Sequence, residues 1–180
     1  MPQKKFSSSA GADAIATYDA NKDGKLSGEE LLKSPALKAA IAQIDPSGKG
    51  EITADMIDAR IKSWIDSKFA RMTVNCTVTR YGKPLSGATV TFVPEKFLGP
   101  DVEPGTGKTD QHGFAMLSVA TTGREAPGMG PGFYRVVITK EGMKIPEKYS
   151  TEALTVLGQE IAQDADGIKN MKGIKFDLKF

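Results

Sequence analysis

Oxygen-bearing residues recur at fixed spacing in the run DANKDGKLSGEE, from Asp19 to Glu30. In a twelve-residue frame, Asp19, Asn21 and Asp23 fall at positions 1, 3 and 5, Lys25 at 7, Ser27 at 9 and Glu30 at 12. A hard divalent cation needs a cage of oxygens, and this spacing supplies one. Three short polar side chains come first. The Lys25 backbone carbonyl follows, with its ammonium left to solvent, then Ser27 directly or through water, and Glu30 gives a bidentate carboxylate. Gly24 occupies position 6, where the chain must turn sharply. A polar turn that merely caps a helix is also rich in Asp, Asn and Gly, but it does not require the terminal Glu twelve residues on.

The flanks fit the same frame. Ile15 and Tyr18 share one face of a helix entering the loop, and Leu26 stands at position 8, where an apolar residue pairs with a neighbouring loop. That neighbour is the run DPSGKGEITADM, Asp45 to Met56, with Ile41 and Ile44 before it at the same spacing. Asp45, Ser47, Gly50 and Ile52 keep its shape. Lys49 puts an ammonium where a carboxylate belongs, and Met56 at position 12 cannot hold a hard cation. Whether Asp45, Ser47 and Thr53 retain weak affinity is open. The two runs resemble a pair of EF-hand calcium loops, one competent and one degenerate, with Leu26 and Ile52 facing each other in a bridge between them. The resemblance implies a single Ca2+ held by Asp19, Asn21, Asp23, Lys25, Ser27 and Glu30.

Composition bounds the alternatives. The chain has 180 residues with a formal charge of +2, which is too small and too interleaved to imply nucleic acid or an anionic membrane. No apolar run approaches a membrane span, and MPQKKFSSSA lacks the apolar region of a signal peptide, so an export signal is expected to have been removed. Cys76 is the sole cysteine, which excludes an internal disulfide. In MTVNCTVTR it shares a strand face with Val74 and Val78 and reads as a small buried hydrophobe. His112, the one histidine, reads as a solvated turn residue in TDQHG.

The elements that position the loop change period along the chain. Apolar spacing is helical to about Phe69 and alternates from Met72, which predicts two units, 1–70 and 71–180, joined without a flexible linker. Ser34 and Pro35 predict a helix start running through Ile44. The last helix, Ala54 to about Phe69, carries Ile57, Ile61, Trp64, Ile65 and Phe69 as a core stripe. No Met-rich groove of a calcium sensor is present, so calcium is expected to lock a fold.

Strands are predicted near 72–80, 88–93, 114–119, 133–140 and 174–180, with a weaker one at 154–157 and a long loop GREAPGMGPG before Phe133. Tyr134, Val136 and Ile138 form the expected core face of their strand. Phe133 and Val137 make the opposite face apolar, as Phe114 and Met116 do in theirs, and such faces need a cover that the helical unit is placed to give. Short strands between Gly- and Pro-rich turns argue an antiparallel β-sandwich.

Within this half, VNCTVTRYGKPLSGATVTFVPE, TGKTDQHGFAMLSV, PGFYRVVITK and KIPEKYS resemble the carboxypeptidase regulatory-like, transthyretin-like β-sandwich of exported bacterial proteins, over about residues 72–180. Gly82, Pro84, Gly87, Gly113, Gly132, Thr109, Asp110 and Tyr134 carry the likeness. The chain departs from it after Gly113, where the apolar phase blurs, and in a long tail loop from Gly158 to Lys172. The resemblance implies a non-catalytic, periplasmic or secreted module.

Enzymes on related sandwiches do not fit the inventory. Hydroxyisourate hydrolases and intradiol dioxygenases both need more histidine than His112. A Lys–Asn isopeptide link needs a Lys on the first strand, which has none, and Asn170 precedes the last strand. The reading is therefore an α+β chain, an EF-hand pair of four short helices docked on a seven-stranded-type antiparallel β-sandwich. It binds calcium without catalysis and presents the sandwich to a protein or cell-envelope glycan. The alternative is a calcium-responsive regulator in which the metal repositions the helices. Oligomeric state is not legible.

Overall fold

The computed structural model describes residues 6–68, 71–120, 128–169 and 172–180, and within them the fold is mixed α+β, with six α-helices and ten strands. Helix α1 (Ala10–Tyr18) turns its small residues Ala10, Gly11 and Ala14 inward. The reason for small residues is contact distance: a Cβ on Gly11 would lie 2.3 Å from the Ala54 carbonyl oxygen, and the Gly11 N–H donates to Asp58 Oδ1 at 2.8 Å.

After the first loop come β1 (Lys25–Ser27), α2 (Gly28–Lys33), α3 (Pro35–Ala39) and α4 (Ile41–Ile44). The second loop leads to β2 (Glu51–Thr53) and α5 (Ala54–Asp66). Strands β1 and β2 pair antiparallel with Leu26 opposite Ile52, as the repeat predicts, and both side chains are fully buried.

The helix expected to run unbroken from Pro35 to Ile44 is divided at Ala40, so five short helices stand where four were expected. Ala40 sits at φ −91°, ψ 3°, outside the helical well, and its N–H is shared between the carbonyls of Ala36, Leu37 and Lys38. Ser34 does not cap this helix either, because its hydroxyl is used elsewhere. In α5, Ile57, Ile61 and Trp64 form the buried stripe, Thr53 Oγ1 accepts from the Met56 N–H at the helix start, and Ile65 is turned outward. Phe69 lies outside the described residues.

The second half comprises β3 (Val74–Arg80), β4 (Lys83–Pro84), β5 (Thr89–Pro94), β6 (Gly105–Lys108), β7 (Phe114–Leu117), β8 (Gly132–Thr139), α6 (Glu147–Ser150), β9 (Gly158–Ile161) and β10 (Ile174–Leu178). Strand β3 pairs with β10 on one edge and with β7 and β4 on the other, and the second sheet runs β6-β5-β8-β9. The β10–β3 pair is parallel, against the all-antiparallel expectation. Parallel neighbours need a long connection, and here it is the whole stretch from β4 to β9, residues 81–173.

Strand β6 carries no readable alternation because it is built from GTGK. A Cβ on Gly107 would lie 2.3 Å from the Met116 carbonyl oxygen, so close approach of β7 excludes a side chain. The strand expected at 154–157 is displaced to β9, and Leu154 and Val156 are exposed. Thr155 explains the shift: its hydroxyl donates to the Val136 carbonyl and ends the edge pairing there. The long tail loop expected from Gly158 thus begins as a strand. Residues 123–127 of GREAPGMGPG, and Asn170, lie outside the described residues.

The two sheets share one apolar layer. Phe92 of β5 meets Phe176 of β10 at 6.1 Å between ring centroids and Tyr134 of β8 at 6.2 Å, with Val136 and Ile138 fully buried beside them. On the other face of β8, Phe133 is also fully buried, and its cover is Trp64 of α5 at 4.7 Å. Phe114 and Met116 receive no such cover from the described residues and are 40% and 62% exposed.

Cys76 points into the shared layer and burial pushes its thiol from an ordinary 9.0 up to about 12. The pKa is raised, so the stability that the neutral thiol contributes is complete below its unfolded value and is lost as pH climbs towards 12. At pH 8 a thiol reagent is expected to leave Cys76 unmodified in the native chain and to label it in denaturant. Rapid native labelling would contradict its placement.

Candidate metal loop and its anchors

The loop from Asp19 to Glu30 is held in shape by its own N–H groups. Asp19, at the end of α1, accepts from Lys22 N at 2.6 Å through Oδ1 and from Gly24 N at 2.9 Å through Oδ2. Asn21 Oδ1 accepts from Asp23 N at 2.9 Å, and Asp23 Oδ1 from Lys25 N at 3.0 Å. Gly24 makes the sharp turn at φ 81°, a conformation that glycine adopts without steric cost.

Lys25 does not simply extend into solvent. Its ammonium bonds Glu51 Oε2 at 2.9 Å, linking the two loops by a half-exposed pair, and that bond is the chief cause of its raised pKa. Exposure keeps the pair's contribution small.

Glu30 closes the loop. Its side chain is nearly buried; Oε1 accepts from Ala20 N at 2.9 Å and Asn21 N at 3.2 Å, and Oε2 from Ser27 N at 3.2 Å. The Asn21 and Ser27 amides, which stabilise the ionised form, hold its carboxyl below the usual carboxylate range. Ala20, Asn21, Ser27, Glu29, Glu30 and Lys33 line a shallow cleft of about 410 Å³ beside it.

Among the described residues, no group of three or more His, Cys, Asp and Glu side chains is clustered so as to hold a metal. The loop's carboxylates are spread along its N–H groups instead. The donor set nevertheless suits a hard cation, being entirely oxygen. Each carboxylate oxygen that accepts an N–H keeps further lone-pair capacity. Asp19, Asn21 and Asp23 can serve a cation while keeping the turn. Glu30 would have to give up the Ala20 and Asn21 amides to turn Oε1 to a cation.

In the second loop, Asp45 is buried and repeats the role of Asp19. It accepts from Ser47 Oγ at 2.5 Å, Ser47 N at 3.0 Å and Gly50 N at 2.8 Å, and the Ser47 hydroxyl leads the causes that lower its pKa. The frame survives there without a carboxylate at position 12. His112 lies in an exposed turn whose Asp110 accepts from its N–H and from that of Phe114, as expected of a turn residue.

Two buried acids that residue spacing does not single out tie the helices to the sheets. Glu95, 2% exposed at the end of β5, accepts from Tyr18 Oη at 2.7 Å, Ser34 Oγ at 2.9 Å and Arg135 Nε at 3.3 Å. Arg135 also donates to Tyr18 Oη at 3.0 Å and to the carbonyls of Lys33 and Glu152. Burial, then the charge of Glu95, drives the Tyr18 hydroxyl up to about 12.

Glu160 of β9 is the second acid, 1% exposed. It accepts from Arg60 Nε at 2.6 Å and from the Trp64 indole N–H at 3.1 Å, while Arg60 forks onto both oxygens of Asp164. Burial raises its carboxyl pKa against the pull of Arg60. A signal for the first cluster was present: Arg135 interrupts the apolar run FYRVVI on the face that the helices cover.

No family model matches the chain, and no curated protein matches it. Among the described residues, no helix is long and apolar enough to cross a membrane.

Proposed function

We propose that residues 19–30 form an EF-hand-type loop binding one calcium ion, and that the ion fixes the helical unit on a transthyretin-like β-sandwich in a non-catalytic, exported module. The observation that carries this reading is the antiparallel pairing of the two twelve-residue frames at Leu26 and Ile52, each frame closed by its first aspartate on the glycine N–H groups. A lone polar turn has no reason to be paired with a second copy of itself. Asp19, Asn21, Asp23, Glu30, the Lys25 carbonyl and Ser27 would hold the ion. It would supply a positive centre that draws the two ends of the loop together.

Locking is favoured over repositioning because the helical unit is already fixed by Glu95, Glu160 and Trp64. A calcium-responsive regulator would have to break the buried Arg60–Glu160 ion pair and the Tyr18 and Ser34 hydrogen bonds to Glu95. The sandwich is left to engage a protein or a cell-envelope glycan. Calcium in excess over its Kd is expected to raise the melting temperature relative to chelator, by mass action equivalent to about 2.7 kcal/mol at a hundredfold excess. Glu30→Gln is expected to remove most of that increment. An unchanged melting temperature with saturating calcium would refute the reading.

A further inference from the structure

We infer that Glu95 and Arg135, which touch no loop ligand, set the calcium affinity of the first loop by pinning its two ends to one point on the sheet. The inference rests on the proposed calcium site and concerns its regulation by the rest of the chain. Tyr18 is the last residue of α1 and immediately precedes Asp19, the first ligand. Lys33 and Ser34 close α2, whose first turn carries Glu30, the last ligand. Four residues of helix rise only about 6 Å, so Ser34 reports closely on where Glu30 stands.

These two ends meet on a single carboxylate. Tyr18 Oη donates to Glu95 Oε2 at 2.7 Å and Ser34 Oγ to Oε1 at 2.9 Å. Arg135 completes the junction, donating to Glu95, to Tyr18 Oη and to the Lys33 carbonyl, with its guanidinium over the Tyr18 ring at 5.8 Å. Ser34 is fully buried and its hydroxyl serves this bond in place of capping α3, so the local helix signal is given up for the tie.

To take a cation, Glu30 must turn from the Ala20 and Asn21 amides towards Asp19 and Asp23. How far it must travel depends on the spacing of α1 and α2. A junction that holds this spacing in the free protein reduces the ordering required on binding, which is the general route by which pre-organisation raises affinity. By linkage, calcium must tighten the junction to the same degree.

The test compares full-length chains by calcium titration calorimetry. The variant Tyr18→Phe/Ser34→Ala keeps the Tyr18 ring against Phe97 and removes both hydroxyl ties. Phe176→Leu, in the layer between the sheets, serves as a comparison whose stability loss does not touch the junction. Fluorescence of Trp64, the only tryptophan, checks that each chain is folded in chelator.

The expected result is a calcium Kd raised about fivefold or more in the double variant, with Phe176→Leu within about twofold of the parent. Equal affinity in the double variant and the parent would overturn the coupling while leaving the site in place. Equal weakening by Phe176→Leu would overturn it too, by making the effect one of general stability. A parent chain that binds no calcium would overturn both the site and its coupling.

Discussion

Glu95→Ala is expected to lower the unfolding free energy by about 3–5 kcal/mol, because it strands a buried charge. Arg135 is 11% exposed at its side chain, and Glu95 is the carboxylate in contact with it. Without that carboxylate the guanidinium keeps, among the described residues, the Tyr18 hydroxyl and two carbonyls, and Ser34 loses its acceptor. Glu95→Gln keeps the shape and one acceptor oxygen and is expected to cost less. Replacing both members, Glu95→Leu with Arg135→Met, is expected to recover part of the loss, since the desolvation of both ions is then relieved. Urea denaturation followed by circular dichroism measures all three, and a Glu95→Ala midpoint equal to that of the parent would contradict the cluster.

Trp64→Ala carries the second large effect, also about 3–5 kcal/mol for a buried large aromatic. The indole is 3% exposed and wedged between Phe133 at 4.7 Å and Phe6 at 5.6 Å. Its N–H donates to Glu160, whose Oε2 has no hydrogen-bond partner among the described residues. Truncation therefore opens a cavity over Phe133 and withdraws a donor from a carboxylate poorly satisfied beforehand. Trp64→Phe keeps a six-membered ring over Phe133 and loses the N–H with part of the indole volume, at an expected cost of about 1–3 kcal/mol. If Trp64→Ala unfolds at the same denaturant concentration as the parent, the helices are not held to the sheet in this way.

The paired frames were legible because their information is local. Glycine positions and spacing lie within twelve residues, and the copy at Asp45 gave the Leu26–Ile52 pairing as well. The cover over Phe133 was legible in outline, since apolar residues on both faces of β8 require something on each. Its partners were not. Tyr18 and Glu95 are 77 residues apart, and Arg60 and Glu160 are 100 apart, so no spacing rule connects them.

Glycine erased the signal of β6, where backbone contact replaces side chains. The parallel return of β10 depends on the whole connection before it, which alternation within the strand cannot report. Phe114 and Met116 show the opposite failure: their pattern asked for a cover that the helices, committed to Phe133, do not reach.

Calorimetric titration of the full chain with calcium tests the proposed single site at Asp19 to Glu30. Saturable binding of one ion per chain is expected, preserved in Lys49→Ala and abolished or weakened severely in Glu30→Gln. Absence of binding, or a Glu30→Gln isotherm that matches the parent, would contradict it.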